Sequence, residues 1–304
     1  MHMFNMVFEN NVNVLWDNDL FKSVVEMTME HYVPVIKYAA IFINVNAADF
    51  DIVNQYKQDH PEQKIILYNL EHKYPLIAPR KVECCTDYWS SLFERFITLI
   101  DEVWDYNIEN YLYFESIGYG SKFKFIPLRY TSWFNQFIHK VPKIYDIEFE
   151  GAFDTEIRLE CIRKLTTPGT YGSMIKFKLA NVQDQAIKFF EKQDSLFCLD
   201  MPHYNFPETI NALRIFENLC LNQPTLVFDI YQVGSRKYFE DMVMYVDELT
   251  QEAILKIVES GVPENVADKF KSLTYNDSDF ETYKFSILED FKRISGEIIP
   301  NNII

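Results

Sequence analysis

The chain has 304 residues, 48% of them apolar and 16% aromatic, with 26 Phe and 19 Tyr. That much apolar material excludes a disordered chain, and the length fits two domains of roughly 150 residues each. Against 29 Lys and Arg stand 45 Asp and Glu, a net charge of −16, so the surface repels nucleic acid and anionic membranes at long range, though a local basic groove remains possible.

Eight glycines, against a usual share of about 7%, leave little room for Gly-rich phosphate loops, and no P-loop, GxGxxG or GxSxG motif occurs. The N-terminal MHMFNMVFENN has no basic leader or long apolar run, so no signal peptide is expected. No stretch approaches the roughly 18 apolar residues of a membrane span. The five cysteines, at 84, 85, 161, 198 and 220, show no CxxC pair and no zinc spacing; they read as reduced thiols of a cytoplasmic protein.

In chain order, helical periodicity over 18–31 precedes a strand at 39–46 (AAIFINVN) and a helix at 49–58. The next strand, 64–70 (KIILYNL), runs directly into Glu71 and His72. Open parallel sheets bind ligands beyond the carboxyl ends of their strands. A carboxylate there can take a proton from an acceptor hydroxyl; as an ordinary loop residue, Glu71 caps or pairs locally, and His72 reads equally as a surface or core-edge histidine. A helix at 87–100, a strand at 101–105, a helix at 107–117 and a strand at 122–128 follow. The polar, aromatic segment 129–144, with Pro142, separates this series from the next. Lys122, Lys124, Arg129, Lys140 and Lys143 interleave there with Phe123, Phe125, Tyr130, Trp133 and Phe134. This basic, aromatic cluster is either an acceptor groove or a solvated strand edge and linker.

The second series has strands at 145–151 (YDIEFEG), 174–181, 195–200, 224–229 and 243–247, with helices at 155–165, 183–193, 208–222 and 249–259. A helical tail covers 264–295. Gly151 lets backbone approach a ligand, and Asp154 or Thr155 can cap the helix that follows. Arg158 lies in that helix's first turns; helix amides plus an arginine make a phosphate site, whereas a surface ion pair with Glu156 or Glu160 explains it as well. In 208–222, Ile210, Leu213, Phe216 and Leu219 form an apolar stripe, while Arg214 and Glu217 project from neighbouring positions. They can hold a diphosphate and its ribose hydroxyls, or simply pair with each other. The two DxD strings, at 49–51 and 277–279, fall at expected helix starts and read as caps. No metal-ligand spacing is recognisable.

Strands alternating with helices predict an α/β protein of two Rossmann-type domains facing a cleft. The expected bounds are 1–140 for the first domain, 141–263 for the second, and 264–304 for helices packing back on the first.

The segments YNLE (68–71), VWDYNIEN (103–110), a strand ending in IPL (126–128), EGAF (150–153) with Arg158, and ALRIFENL (212–219) come in an order that resembles glycosyltransferases of the GT-B class. The likeness spans about 60–250 and extends to small bacterial cell-surface glycosyltransferases and to phage DNA β-glucosyltransferases. It implies that Glu71, followed by Pro75, is the catalytic base. It also implies that Gly151, Phe153 and Arg158 bind the donor diphosphate, and that Arg214 and Glu217 bind phosphate and ribose. Asp154 stands where the phage enzymes carry a further phosphate-binding arginine. The implied activity is hexosyl or pentosyl transfer from a UDP-linked sugar, with no obligatory cofactor and Mg2+ left open. The implied acceptor is a hydroxymethylated pyrimidine in phage DNA, within the host cytoplasm, with His72, Lys124, Arg129 and Trp133 as candidate contacts. A cell-surface glycan acceptor and a non-catalytic nucleotide- or sugar-binding protein are the alternatives.

Overall fold

The computed structural model describes residues 3–16, 21–45, 49–70, 94–116, 118–151, 155–167, 175–180, 184–201, 212–228, 239, 242–273, 281–282, 284–286 and 289. The chain divides between Leu128 and Arg129 into two compact units.

Unit 1 is built on a sheet of β1 (Phe4–Val7), β2 (Val12–Trp16), β3 (Ala39–Ile43), β4 (Lys64–Asn69), β5 (Glu102–Asp105) and β6 (Phe123–Phe125), side by side in chain order. β1 runs antiparallel to β2, and the others are parallel. The described helices include α1 (Lys22–His31), α2 (Phe50–Asp59), α3 (94–99) and α4 (Ile108–Ser116). AAIFI in β3 is buried throughout, as expected for a parallel strand covered on both faces. Phe42, Leu67, Val103 and Phe123 pack on Val53, Phe96, Ile97 and Phe114 of α2, α3 and α4. On the opposite face, Tyr68 and Trp104 meet, and Trp104 also meets Tyr32, just past α1.

The β1–β2 hairpin is absent from the sequence reading. Its turn is made without glycine: Asn11 takes φ 58 and donates its N–H to the Phe8 carbonyl at 3.0 Å, using asparagine's tolerance of the left-handed region.

Unit 2 holds β7 (Tyr145–Glu150), β8 (Phe177–Ala180), β9 (Ser195–Asp200), β10 (Thr225–Phe228) and β11 (Val243–Val246), all parallel, in the order β8-β7-β9-β10-β11. Its described helices include α5 (Glu156–Thr166), α6 (Gln185–Glu191), α7 (Ala212–Cys220), α8 (Gln251–Ser260) and α9 (Val266–Ser272). Ile147, Phe149, Phe197, Leu199 and Leu226 pack on Cys161, Leu165 and Ile254 of α5 and α8. The two units together form the expected α/β architecture with parallel sheets.

The segment 129–144 belongs to unit 2 and is fastened to α6 and the residues after it. Trp133, Phe134 and Phe137 set their rings against Phe189. Gln193 Nε2 donates to the Phe137 carbonyl at 2.6 Å. Within unit 2, α9 packs on α7 through Phe270 and Phe216. Cys161, Cys198 and Cys220 are buried thiols. Burial pushes the Cys161 thiol up to about 11 and the Cys198 thiol up to about 12, so these two serve as packing groups, not nucleophiles.

Candidate functional site

Among the described strands, those of unit 1 follow chain order, while the order in unit 2 reverses at β7, which lies between β8 and β9. A doubly wound sheet binds its ligand at that reversal, beyond the carboxyl ends of the two strands concerned. Here those ends are Glu150 and Gly151 after β7, and Asp200 and Met201 after β9.

Gly151 has φ +148, and a Cβ there would stand 3.1 Å from Arg214 Nη2 and 3.2 Å from Phe149 Cζ. The backbone conformation favours glycine, and a Cβ would press on both side chains. Arg158, on α5, is only 5% exposed, and its Nη2 donates to the Met201 carbonyl at 3.3 Å. Arg214, on α7, pairs with Asp200 at the end of β9. Both guanidiniums lie 5.4 Å from the Phe149 ring centre. Two cations thus converge on one aromatic side chain at the switch point, the composition of an anion subsite.

These positions decide between the readings the sequence left open. Arg158 is not a surface partner of Glu156 or Glu160: it is buried, and Glu160 pairs with Lys164 at 3.0 Å. Arg214 and Glu217 serve different partners. Glu217 is buried and its Oε2 accepts from Lys188 Nζ at 3.1 Å, so the carboxylate expected at the ribose hydroxyls is engaged inside a charge network. Lys188 also lies 3.4 Å from Glu150. Lys192, 1% exposed, sits 3.0 Å from Glu150 Oε2 and donates to Asn218 Oδ1 at 3.0 Å. Burial works against ionisation of Glu150, yet Lys192, Lys188 and Arg214 hold its carboxyl below the usual carboxylate range. Burial likewise opposes the charge on Lys192, and Glu150 and Glu217 overcome it and raise its pKa.

On the same face of β7, Glu148 accepts from Ser195 Oγ at 3.0 Å and pairs with Lys178 at 3.1 Å. Burial outweighs these contacts and raises its pKa. The four ionic residues Glu148, Glu150, Lys188 and Lys192 escaped the sequence reading. The available signal was two glutamates alternating with apolar residues in a central strand, a pattern that demands buried cationic partners.

The basic, aromatic cluster expected over 122–143 spans the boundary between the units. Its members divide between the two units at Leu128. Lys122 donates to the carbonyls of Ile97 and Ile100 at 2.8 and 2.6 Å, and Lys143 to those of Gln193 and Ser195, both at 2.8 Å. Lys124 pairs with Glu102 of the neighbouring strand. Phe123 and Phe134 are core residues, Trp133 packs on Phe134, Phe137 and Phe189, and Arg129 opens unit 2.

Asp49 and Thr155 occupy N-cap positions as expected, but neither side chain makes the capping bond. Glu71, His72, Phe153, Asp154 and the 277–279 DxD string lie outside the described residues. Among the described residues, no group of three or more His, Cys, Asp and Glu could hold a metal ion.

No protein-family model matches the chain, and no curated protein matches it. Among solved structures, it is similar to the sucrose-phosphate synthase of Thermosynechococcus elongatus, at 11% identity over 90% of this chain and 77% of that one, with a TM-score of 0.51. Looser similarities include a glycosyltransferase from Rickettsia africae, at 11% identity, 95% and 97% coverage and a TM-score of 0.45. Another is S. aureus TarM in complex with fondaparinux, α-GlcNAc-glycerol and UDP, at 14% identity, 92% and 59% coverage and a TM-score of 0.43. The first of these similarities is one of fold: two Rossmann-like units of the GT-B kind.

Proposed function

We propose that this chain is a glycosyltransferase that moves a sugar from a UDP-linked donor to an acceptor hydroxyl. The observation that carries the reading is the convergence of Arg158 and Arg214 on Phe149, beside a glycine whose backbone conformation L side chains rarely adopt, at the switch point of unit 2. Gly151, Phe153, Arg158 and Arg214 bind the donor diphosphate. Glu217 braces the subsite through Lys188 instead of reaching the ribose itself. Glu71 takes the acceptor's hydroxyl proton as its oxygen bonds to the anomeric carbon. The bond from that carbon to the diphosphate oxygen breaks, and its electron pair leaves with UDP. The two guanidiniums offset the charge that develops there.

Release of UDP from a panel of UDP-sugars, with and without Mg2+, tests the proposal. One donor should yield UDP, faster with a competent acceptor present. No release from any donor, by a folded protein that still binds UDP, would favour the non-catalytic binding protein.

For the acceptor, the sequence likeness favours hydroxymethylated DNA, but the engagement of Lys122 and Lys143 by backbone carbonyls favours a carbohydrate hydroxyl. Salt separates the two. A DNA enzyme loses acceptor affinity by orders of magnitude between about 50 and 200 mM salt, because each neutralised phosphate releases a counterion. The expected result here is an acceptor KM that changes less than about threefold over that range, as for an uncharged ligand.

A further inference from the structure

Consecutive residues at the end of β9 meet the two guanidiniums of the switch point. The Met201 carbonyl accepts from Arg158 Nη2 at 3.3 Å, and the Asp200 carboxylate accepts from Arg214 Nη1. The first acceptor is neutral and the second is charged. Asp200 is only 3% exposed, and the sheet fixes its backbone as the register partner of Val227 on β10. Its short side chain has little reach away from Arg214.

Asp200 differs from Glu150 and Glu217 in how its charge is answered. Lys192 and Lys188 lie 3.0 and 3.4 Å from Glu150, and Lys188 lies 3.1 Å from Glu217. Lysines from α6 and the residue after it thus match those two carboxylates. Asp200 draws instead on Arg214, one of the guanidiniums that converge on Phe149. The other terminal nitrogen of Arg214, Nη2, lies 3.1 Å from where a Cβ on Gly151 would stand. One guanidinium therefore faces both the bare side of the glycine, where backbone can approach a ligand, and a buried carboxylate.

For a diphosphate bound at this place, Asp200 has two effects of opposite sign. By holding the guanidinium in one rotamer it spares the ligand the cost of ordering that side chain, a factor of about 2–10 in affinity. Its charge also competes for Arg214 and repels the phosphates where little water screens it. That effect is on the scale of one charge-assisted contact, about 10–100-fold, and it is the larger of the two.

We infer that Asp200 is a resident counter-anion that competes with the diphosphate for Arg214, lowering the affinity for UDP so that the product is released. The inference rests on the reading of this switch point as the diphosphate subsite. The attenuation grows with the phosphate charge of the ligand and vanishes for an uncharged nucleoside, which separates it from any effect of Asp200 on the fold.

Calorimetric titration of the full-length protein with UDP, UMP and uridine tests it, with EDTA present so that the phosphates carry their full charge. Asp200→Asn keeps the shape and an acceptor oxygen and removes the charge. It should tighten UDP binding about tenfold or more, mostly as slower dissociation. UMP should gain less, and uridine should be unchanged. Asp200→Ser makes the same comparison with a smaller neutral side chain, should the amide not be accommodated. UDP affinity that both substitutions leave unchanged or weaken would overturn the inference, as would an equal gain for uridine. UDP binding absent from the wild type and both variants would remove the diphosphate reading itself, and the inference with it.

Discussion

Alanine at Glu71 should cut turnover by about 10²–10⁴-fold, the contribution of a positioned general base, while UDP affinity stays within about twofold of wild type because a base contributes to the transition state and not to nucleotide binding. Alanine at Arg214 should do the reverse, weakening UDP by about 10–100-fold, the worth of one charge-assisted contact of about 1.5–3 kcal/mol. The second effect has an added source. Arg214 pairs with Asp200, which is buried at the end of β9, so its removal leaves a carboxylate facing the incoming diphosphate. Adding Asp200→Asn to Arg214→Ala should therefore recover part of the lost affinity. Steady-state kinetics and calorimetric titration with UDP check both arms. Equal loss of UDP affinity in the Glu71 and Arg214 variants would remove the division of roles.

Methionine at Lys192 should be among the most destabilising single substitutions in unit 2. The side chain keeps its volume but takes from Glu150 the ammonium 3.0 Å from its Oε2, leaving the longer Lys188 contact at 3.4 Å. Breaking a buried pair by removing one partner costs about 3–5 kcal/mol, whereas replacing both members together is often nearly neutral. Lys192→Met should thus show a clearly lower urea midpoint, and Lys192→Met with Glu150→Gln should regain much of it. The pH dependence has a definite sign. Glu150 titrates below its ordinary range, so its contribution is present above the unfolded-state pKa and is lost as pH falls through the depressed native value. The stability gap between wild type and Glu150→Gln should therefore close in acid. Lys192, with its raised pKa, contributes below the ordinary lysine range and loses that contribution as pH rises through the native value.

Much of the fold is legible because its determinants are local. KIILYN and SLFCLD are short apolar runs between helical patterns, and β4 and β9 form on them. Gly151 followed by a helix with Arg158 is likewise visible in the sequence. What escaped depends on residues distant in the chain. The order that puts β7 between β8 and β9 is not written in any one segment, and it is this order that sets Arg158 and Arg214 on the same ring. Lys188 and Lys192 look like the solvated face of a helix until Glu150 and Glu217 arrive from other elements to neutralise them. Lys122 and Lys143 look like a basic groove until backbone carbonyls claim their ammonium groups. Charge in a sequence marks where a cation stands, while its partner decides what it does.

The central claim is that the switch point of unit 2 binds a nucleotide diphosphate. A thermal-shift titration of the full-length protein with UDP, against the other nucleoside diphosphates and with Arg214→Ala alongside, tests it most directly. At about 100 times its dissociation constant, a ligand that binds only the native state adds roughly 2.7 kcal/mol. The prediction is a stabilisation of that size by UDP, much reduced in the Arg214→Ala protein. No shift with any nucleotide, with or without Mg2+, or a shift that Arg214→Ala leaves intact, would contradict it.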